Sequence, residues 1–130
     1  MASILRVDTL TDASSNNSIA TSIIYGGAVR AWANFDASAT DAAARDSFNV
    51  SSMADRGTGL STITLSNAMN NSNYAGTASC MGTWADDDGR NYMAVAMPKD
   101  TDEIYVNQFN TSAAAADGAY VGVHITGDPA

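Results

Sequence analysis

Between residues 28 and 126 the chain alternates short runs of apolar and polar residues with loops rich in Ser, Asn, Asp and Gly. Alternation with a period of two sends successive side chains to opposite faces of a strand, and its recurrence at intervals of roughly 8–15 residues is typical of a sandwich or barrel. The sequence therefore predicts an all-β domain over residues 28–130, an antiparallel β-sandwich of about seven strands. The predicted strands are Ala28–Phe35, Ser47–Met53, Leu60–Leu65, Tyr74–Trp84, Asn91–Met97, Glu103–Phe109 and Ala119–Thr126.

The clearest turn lies between the second and third of these strands. The segment from Asp55 to Gly59 contains two glycines, which supply the positive φ angles that tight turns require. We therefore predict a hairpin here. Further along, the fifth strand places Met93, Val95 and Met97 together on one face.

Residues 1–27 follow a different pattern, in which widely spaced apolar residues flank a polar tract. These apolar residues have no partners within their own segment, so we predict an extended N-terminal docking arm that packs on a neighbouring subunit. Trp32 joins the predicted interface because its strand face also carries Arg30 and Asn34, which suits a subunit contact better than a core. The predicted interface residues are Leu5, Val7, Leu10, Ile23, Ile24, Tyr25 and Trp32.

Composition limits the core that such a domain can build. Hydrophobic residues make up 45% of the chain, but many of them are alanines. Small side chains bury little area, and each Å² of apolar surface contributes only about 25 cal/mol. Cys80 is the only cysteine, so no disulfide can form within the chain, and we interpret it as a small buried strand residue. Contacts between identical subunits are then the expected source of additional stability.

The charge of the chain excludes some partners. The formal net charge is −8, with only six basic residues, so the sequence predicts no binding to nucleic acid phosphates and no attraction to anionic membranes. No apolar stretch approaches the roughly 18 residues of a membrane span, so we expect no membrane insertion. The first residues contain neither a basic nor an apolar signal region, which predicts a chain that is not classically secreted.

Candidate catalytic groups are few. His124 is the only histidine, which leaves no histidine-based triad or metal cluster, and we expect it on a strand face near a subunit contact. Asp86, Asp87 and Asp88 offer oxygen ligands for a cation, but their spacing differs from a calcium loop, and acidic turns are common in hairpins. The other carboxylates fall in predicted turns or strand ends rather than in a recognisable hydrolase pair. We therefore expect no enzymatic activity and no cofactor.

The larger aromatic residues have two functional interpretations and one structural one. They can stack on sugar rings, anchor an interface, or supply bulk to a core of small residues. The residues concerned are Trp32, Trp84, Tyr92, Tyr105 and Tyr120. Trp84 and Tyr92, together with the acidic turn Asp86–Asp88, are the candidate receptor-facing residues.

Two segments resemble the start of tail-fibre and related virion structural proteins of marine bacteriophages. Ser3–Leu10 reads SILRVDTL and Tyr25–Phe35 reads YGGAVRAWANF, and that family pairs an "LKVDTI"-like arm with a "KAWVNF" strand. The words RDSFNVSS at residues 45–52 and AMNNSNY at residues 68–74 are also similar to the family's pattern. The resemblance covers residues 3–75, with Ala33 in place of the usual Val and Asn70 in place of Pro.

This resemblance implies a trimeric, elongated, non-enzymatic virion component that is assembled in the host bacterial cytoplasm. We therefore expect a short tail-fibre or fibre-tip subunit that contributes to assembly and host-surface attachment. Its expected partners are two further copies of itself, other virion proteins, and a host surface glycan or protein. The loops 66–73, 86–90 and 110–118 would face the receptor. The alternatives are a capsid decoration or head-fibre protein and, secondly, a carbohydrate-binding module.

Overall fold

The computed structural model of the chain describes residues 3–15, 17–39, 43–82 and 92–130. Two four-stranded antiparallel sheets pack together as a β-sandwich, which confirms the predicted fold class. A small two-stranded sheet and one helix precede them. In chain order the elements are β1 Thr9–Thr11, β2 Ser18–Ala20, α1 Thr21–Gly27, β3 Val29–Phe35, β4 Ala44–Phe48, β5 Val50–Asp55, β6 Leu60–Leu65, β7 Ala75–Met81, β8 Tyr92–Pro98, β9 Glu103–Asn110 and β10 Tyr120–Thr126.

The last strand of the chain lies inside the first sheet. The first sheet has the order β4-β3-β10-β7 and the second has the order β5-β6-β9-β8. In the first sheet Val121 of β10 lies opposite Phe35 of β3 on one side and Cys80 of β7 on the other. Because β10 separates β3 from β7, the sheet can be completed only after residues 120–126 have joined it.

The core lies between the two sheets and contains few large side chains. Val121, Val123 and Ile125 point inward from β10, as alternation requires. Phe35, Ile63, Ile104 and Val106 complete its centre, together with small residues such as Ala31 and Ala33. A large polar residue, Gln108, is buried among them; its Nε2 donates to Ser61 Oγ at 3.1 Å and its Oε1 accepts from the Gly118 N–H at 2.9 Å.

Small residues also let the two sheets approach closely along one side. A Cβ added to Gly76 of β7 would lie 2.9 Å from the Cβ of Ala96 on β8, closer than such atoms normally come. Ala94 and Ala96 are therefore the core-facing residues of β8. The small side chains that composition indicated allow the backbones of β7 and β8 to lie close together here.

The predicted second strand, Ser47–Met53, is two strands in the structure. The chain turns a corner at Asn49, whose φ is +58°, so that β4 belongs to the first sheet and β5 to the second. As a result Phe48 and Val50, which simple alternation places on one face, belong to different sheets. The hairpin of β5 and β6 is confirmed: Arg56 N–H donates to Leu60 O at 2.9 Å, and Gly57 and Gly59 both have positive φ.

The sequence predicts an extended N-terminal segment, but the structure contains a short hairpin and a helix there. β1 and β2 form a short hairpin with Leu10 opposite Ile19, and α1 follows directly. The Thr21 N–H donates to Asp8 O at 2.9 Å, which holds the beginning of the arm beside the beginning of the helix. We call residues 3–27 the arm.

The two ends of the sandwich carry different loops. At the end where β3 begins, the Met69 N–H donates to Thr101 O and the Asn70 N–H to Asp128 O, both at 2.8 Å. At the opposite end, the Ala37 N–H donates to Gly118 O at 2.9 Å. Loops 66–73 and 110–118, both expected to face a receptor, therefore lie at opposite ends of the sandwich, with loop 66–73 at the arm end. Loop 86–90 lies outside the described residues.

Candidate functional site

The arm presents a set of large apolar side chains that the sandwich does not cover. Leu5 is 82% exposed and Ile23 is 63% exposed, and the helix α1 contains no buried residue. The other exposed apolar residues of the arm are Ile4, Val7, Leu10, Ile19, Ile24 and Tyr25. The structure thus places all six arm residues predicted as interface on the surface of this chain.

Arg30 joins the arm to the sandwich. Its guanidinium carbon lies 4.1 Å from the centre of the Tyr25 ring, and its Nε donates to Gly127 O at 3.2 Å. Its Nη2 is buried and has no hydrogen-bond partner among the described residues. A buried donor without an acceptor costs about 1–3 kcal/mol, so this joint is incomplete in the single chain.

The outer face of the first sheet carries Trp32, which is half-buried, between the exposed side chains of His124 and Phe48. Trp32 lies opposite His124 on one side and Phe48 on the other, and Phe48 is 56% exposed. Beside these side chains, Gly122 is part of the lining of a shallow depression of about 250 Å³ with Thr77, Ser79 and His124 around it. The face therefore combines aromatic surface with hydroxyl and imidazole groups.

The outer face of β8 is apolar, and the sequence assigned no role to it. Met93, Val95 and Met97 point away from the core and are 57%, 49% and 40% exposed. They lie opposite Phe109, Asn107 and Tyr105 of β9. The signal was present in the sequence, because this strand alternates large residues with alanines, but in this fold the alanines form the core face.

An apolar groove runs from this face over the edge of β8 towards β7. Its volume is about 560 Å³, and its lining includes Ala78 and Cys80 of β7, Tyr92 and Val95 of β8, and Phe109 of β9. Tyr92, predicted to face a receptor, is half-buried in this lining. The groove therefore gathers residues from both sheets.

Cys80 is a structural residue of this groove. It is half-buried and packs against the core. Burial, with a smaller effect from the negative charge of Asp117, raises the pKa of the Cys80 thiol to about 11. The thiol is therefore protonated at neutral pH and is a poor nucleophile. Cys80 is a strand residue, as predicted, but it is half-buried rather than buried.

An acidic turn between β8 and β9 surrounds Tyr74. The Tyr74 hydroxyl lies 2.8 Å from Asp100 O and 3.0 Å from Glu103 O. Burial first, and then the charges of Asp102, Asp100 and Glu103, raise the pKa of Tyr74 to about 12. Lys99 and Arg56 both approach the Glu103 carboxylate, at 3.3 and 3.6 Å. This cluster ties the turn to the sandwich.

Neither a metal centre nor a membrane-spanning helix is found in the part of the chain that the structure describes. Among residues 3–15, 17–39, 43–82 and 92–130, no three His, Cys, Asp or Glu side chains are grouped so as to hold a metal ion. In these same ranges no helix is both long and apolar enough to cross a membrane. Asp86, Asp87, Asp88 and Trp84, predicted as candidate receptor-facing residues, lie outside the described residues.

No protein-family model, no curated protein and no solved structure matches this chain.

Proposed function

We propose that this protein is a structural subunit of a bacteriophage virion, a short tail-fibre or fibre-tip protein that works as a homotrimer. The arm carries this proposal. Its large apolar side chains are exposed in the single chain, where Leu5 is 82% exposed. Burying one such side chain in a contact is stabilising by about 1.5–3 kcal/mol. A neighbouring copy supplies the missing surface.

The outer face of β3 supports an assembly for a second, independent reason. Trp32 is half-buried there and lies opposite the exposed Phe48. Two positions away on the same strand face is Arg30, on which Tyr25 of the arm packs. A subunit packed against this face would bury the indole of Trp32 beside the arm.

The virion assignment depends on the resemblance, and the placement of the loops is compatible with it. The arm leaves the sandwich at the end where β3 begins. Loop 110–118 and the turn Arg56–Gly59 lie at the opposite end, where the Gln108 N–H donates to Gly59 O at 2.8 Å. In a cyclic trimer the end at which the arms leave the sandwiches would lie towards the particle. The opposite end would then point outward, towards a host-surface glycan or protein.

Localisation on the intact particle tests the virion proposal. We expect labelled antibody or cryo-EM to find the chain on the tail, and mass photometry to find a trimer in solution. Placement on the capsid would instead establish the decoration or head-fibre alternative. Absence from the particle, or a monomer at micromolar concentration, would overturn the proposal.

Deletion of residues 1–25 tests the arm directly. We expect the shortened chain to be monomeric and to be lost from the particle, with the circular dichroism of a folded β-sandwich. A full-length control in which Thr11, a polar residue of the arm, is changed to Ala should keep trimer formation and incorporation. A shortened chain that still enters the particle would contradict a docking role for the arm.

A second candidate function, carbohydrate binding, is favoured by the outer face of the first sheet. Trp32 and His124 lie side by side next to the depression at Gly122, with the hydroxyl groups of Ser79 and Thr77 on its other side. Sugars bind where an aromatic ring is placed beside hydrogen-bonding groups. Retention on a glycan array that is lost in Trp32→Ala would support this function.

A further inference from the structure

We propose that the groove between β7 and β8 receives residues Ser3–Val7 of the arm of a second copy of this chain. The inference rests on the proposed function and makes it specific, because it names the surface on which each arm docks. Each copy would donate its arm to one neighbour and receive an arm from the other. Such a head-to-tail contact closes into a ring when three copies are related by a threefold axis.

The groove has the size and chemistry for an extended apolar segment. It measures about 560 Å³ and its lining is mostly apolar, with Ala78, Cys80, Val95 and Phe109 beside Ser79. At its rim Met93 is 57% exposed and Val95 is 49% exposed, so the apolar surface continues onto the outer face of β8. Exposed apolar surface of this kind marks an interaction site more often than a free surface.

The backbone at the groove is also free to pair. β7 is the last strand of the first sheet and β8 is the last strand of the second, so each has one edge without a ladder partner among the described strands. An added extended segment supplies backbone hydrogen bonds to such an edge, while its alternate side chains enter pockets.

The segment Ser3–Val7 fits this role better than other parts of the arm. It lies outside any helix or strand, and Ile4 and Leu5 are the most exposed of the large apolar side chains in the described chain, at 77% and 82%. In an extended conformation Leu5 and Val7 point to the same side, about 6–7 Å apart. They match the spacing of Met93, Val95 and Met97 along β8.

The charge of Arg6 does not oppose this docking. Because alternate side chains of an extended segment point to opposite sides, Arg6 faces away from the groove when Leu5 and Val7 enter it, so no charge is buried there.

In the structure the arm is held away from the groove of its own chain. The Thr21 hydroxyl lies 3.2 Å from Val7 O and 3.1 Å from Asp8 O, and these bonds tie the end of the segment to the start of α1. The exposure of Ile4 and Leu5 shows that the arm does not cover the groove of its own chain. A second copy is therefore the occupant that we infer.

Disulfide crosslinking between two differently tagged full-length chains tests the inference. Both chains carry Cys80→Ser; one also carries Leu5→Cys and the other Val95→Cys. We expect oxidation of the mixed trimer to link the two chains at least about tenfold faster than in a control pairing Leu5→Cys with Asp46→Cys, because a docked pair reacts at a high effective concentration. Asp46 is exposed on β4, the edge strand of the first sheet on the side away from β7.

Three other outcomes would overturn the inference in distinguishable ways. A trimer in which Leu5→Cys links to Val95→Cys no faster than to Asp46→Cys would show that the arm docks elsewhere, and the proposed function would stand. A link formed only within a chain that carries both substitutions would show that each arm folds onto its own groove. A monomer would overturn both the inference and the proposed trimer.

A matched pair of surface variants gives a second readout. Val95→Asp should weaken trimer association by about 10- to 100-fold, because a charge buried in an apolar contact is costly. Ser52→Asp, at an exposed position on β5, the edge strand of the second sheet on the side away from β8, should weaken it much less. Equal effects of the two substitutions would contradict docking at β8. Circular dichroism of both variants confirms that each is folded.

Discussion

Asn49 and Asn67 are joined by three hydrogen bonds at the corner where the chain passes from the first sheet to the second. Asn49 Oδ1 accepts the main-chain N–H and the side-chain amide of Asn67, both at 2.9 Å, and Asn49 Nδ2 donates to Asn67 O at 3.3 Å. Asn49 Nδ2 also donates to Arg30 O at 3.1 Å. One side chain thus connects β3, the corner and the loop that follows β6.

Replacement of Asn49 should reveal both its backbone and its side-chain contribution. Its φ of +58° lies in the left-handed region, which costs alanine about 1–2 kcal/mol, and each lost hydrogen bond adds about 0.5–1.5 kcal/mol. We expect Asn49→Ala to lower the free energy of unfolding by about 2–4 kcal/mol in urea titrations. Asn49→Gly tolerates this φ and should be less destabilising. An equal loss in both variants would assign the whole effect to the hydrogen bonds.

The two glycines of the β5–β6 turn offer a comparison of strain with crowding. Gly57 and Gly59 both have positive φ, but a Cβ on Gly57 meets nothing within 4 Å, whereas one on Gly59 would lie 2.6 Å from Gln108 O. We expect Gly57→Ala to cost about 1–2 kcal/mol from strain alone, and Gly59→Ala at least about 3 kcal/mol. Denaturant unfolding of both variants measures the difference. Equal losses would mean that the loop 110–118 gives way to the added methyl group.

The hydroxyl of Tyr74 makes stability depend on pH at the alkaline end. Its pKa is raised from 10.0 to about 12 in the folded chain, so the folded state holds the proton more tightly than the unfolded state. Its contribution is complete below pH 10 and is lost as the pH rises from 10 towards 12. We expect Tyr74→Phe to be less stable than the unmodified chain at pH 8 by about 1–3 kcal/mol.

The difference in free energy of unfolding between the unmodified chain and Tyr74→Phe should therefore narrow between pH 10 and pH 12. Thermal or urea unfolding at pH 8, 10 and 11 measures it, and the other titrating groups cancel because both proteins share them. A difference that stayed constant over this range would show that the hydroxyl loses its proton equally in both states.

Trp32 separates the two candidate functions. As a subunit contact, it should act like other buried interface tryptophans, so Trp32→Ala is expected to weaken trimer association by at least about tenfold. Analytical ultracentrifugation measures this, with Thr77→Ala on the same sheet face as a control that should change association little. An unchanged trimer that loses retention on a glycan array would instead assign Trp32 to carbohydrate binding.

Local patterns in the sequence predicted the fold class because they report on local geometry. Alternation identified Val121, Val123 and Ile125 as one face of the last strand, and these residues are buried. Glycine needs no partner to adopt a positive φ, so the turn at Gly57 and Gly59 was also predictable. The apolar residues of the arm were also visible in the sequence, as widely spaced positions around a polar tract, and they are exposed in the structure.

Tertiary structure alone decided which face of β8 points inward. Alternation defines two faces but does not say which one meets the other sheet. The close approach at Gly76 and Ala96 leaves room only for small residues there, so the larger side chains Met93 and Val95 are turned outward. For the same reason, composition could reveal the shortage of bulk but not the groove that results from it.

The sequence by itself thus indicated the all-β sandwich, the turn at Gly57 and Gly59 and the apolar residues of the arm, because each depends on residues close together in the chain. The tertiary structure decided the corner at Asn49, the division of the loops between two ends, and the apolar groove beside Cys80. These features depend on contacts between residues far apart in the sequence, and such contacts exist only after the two sheets have packed.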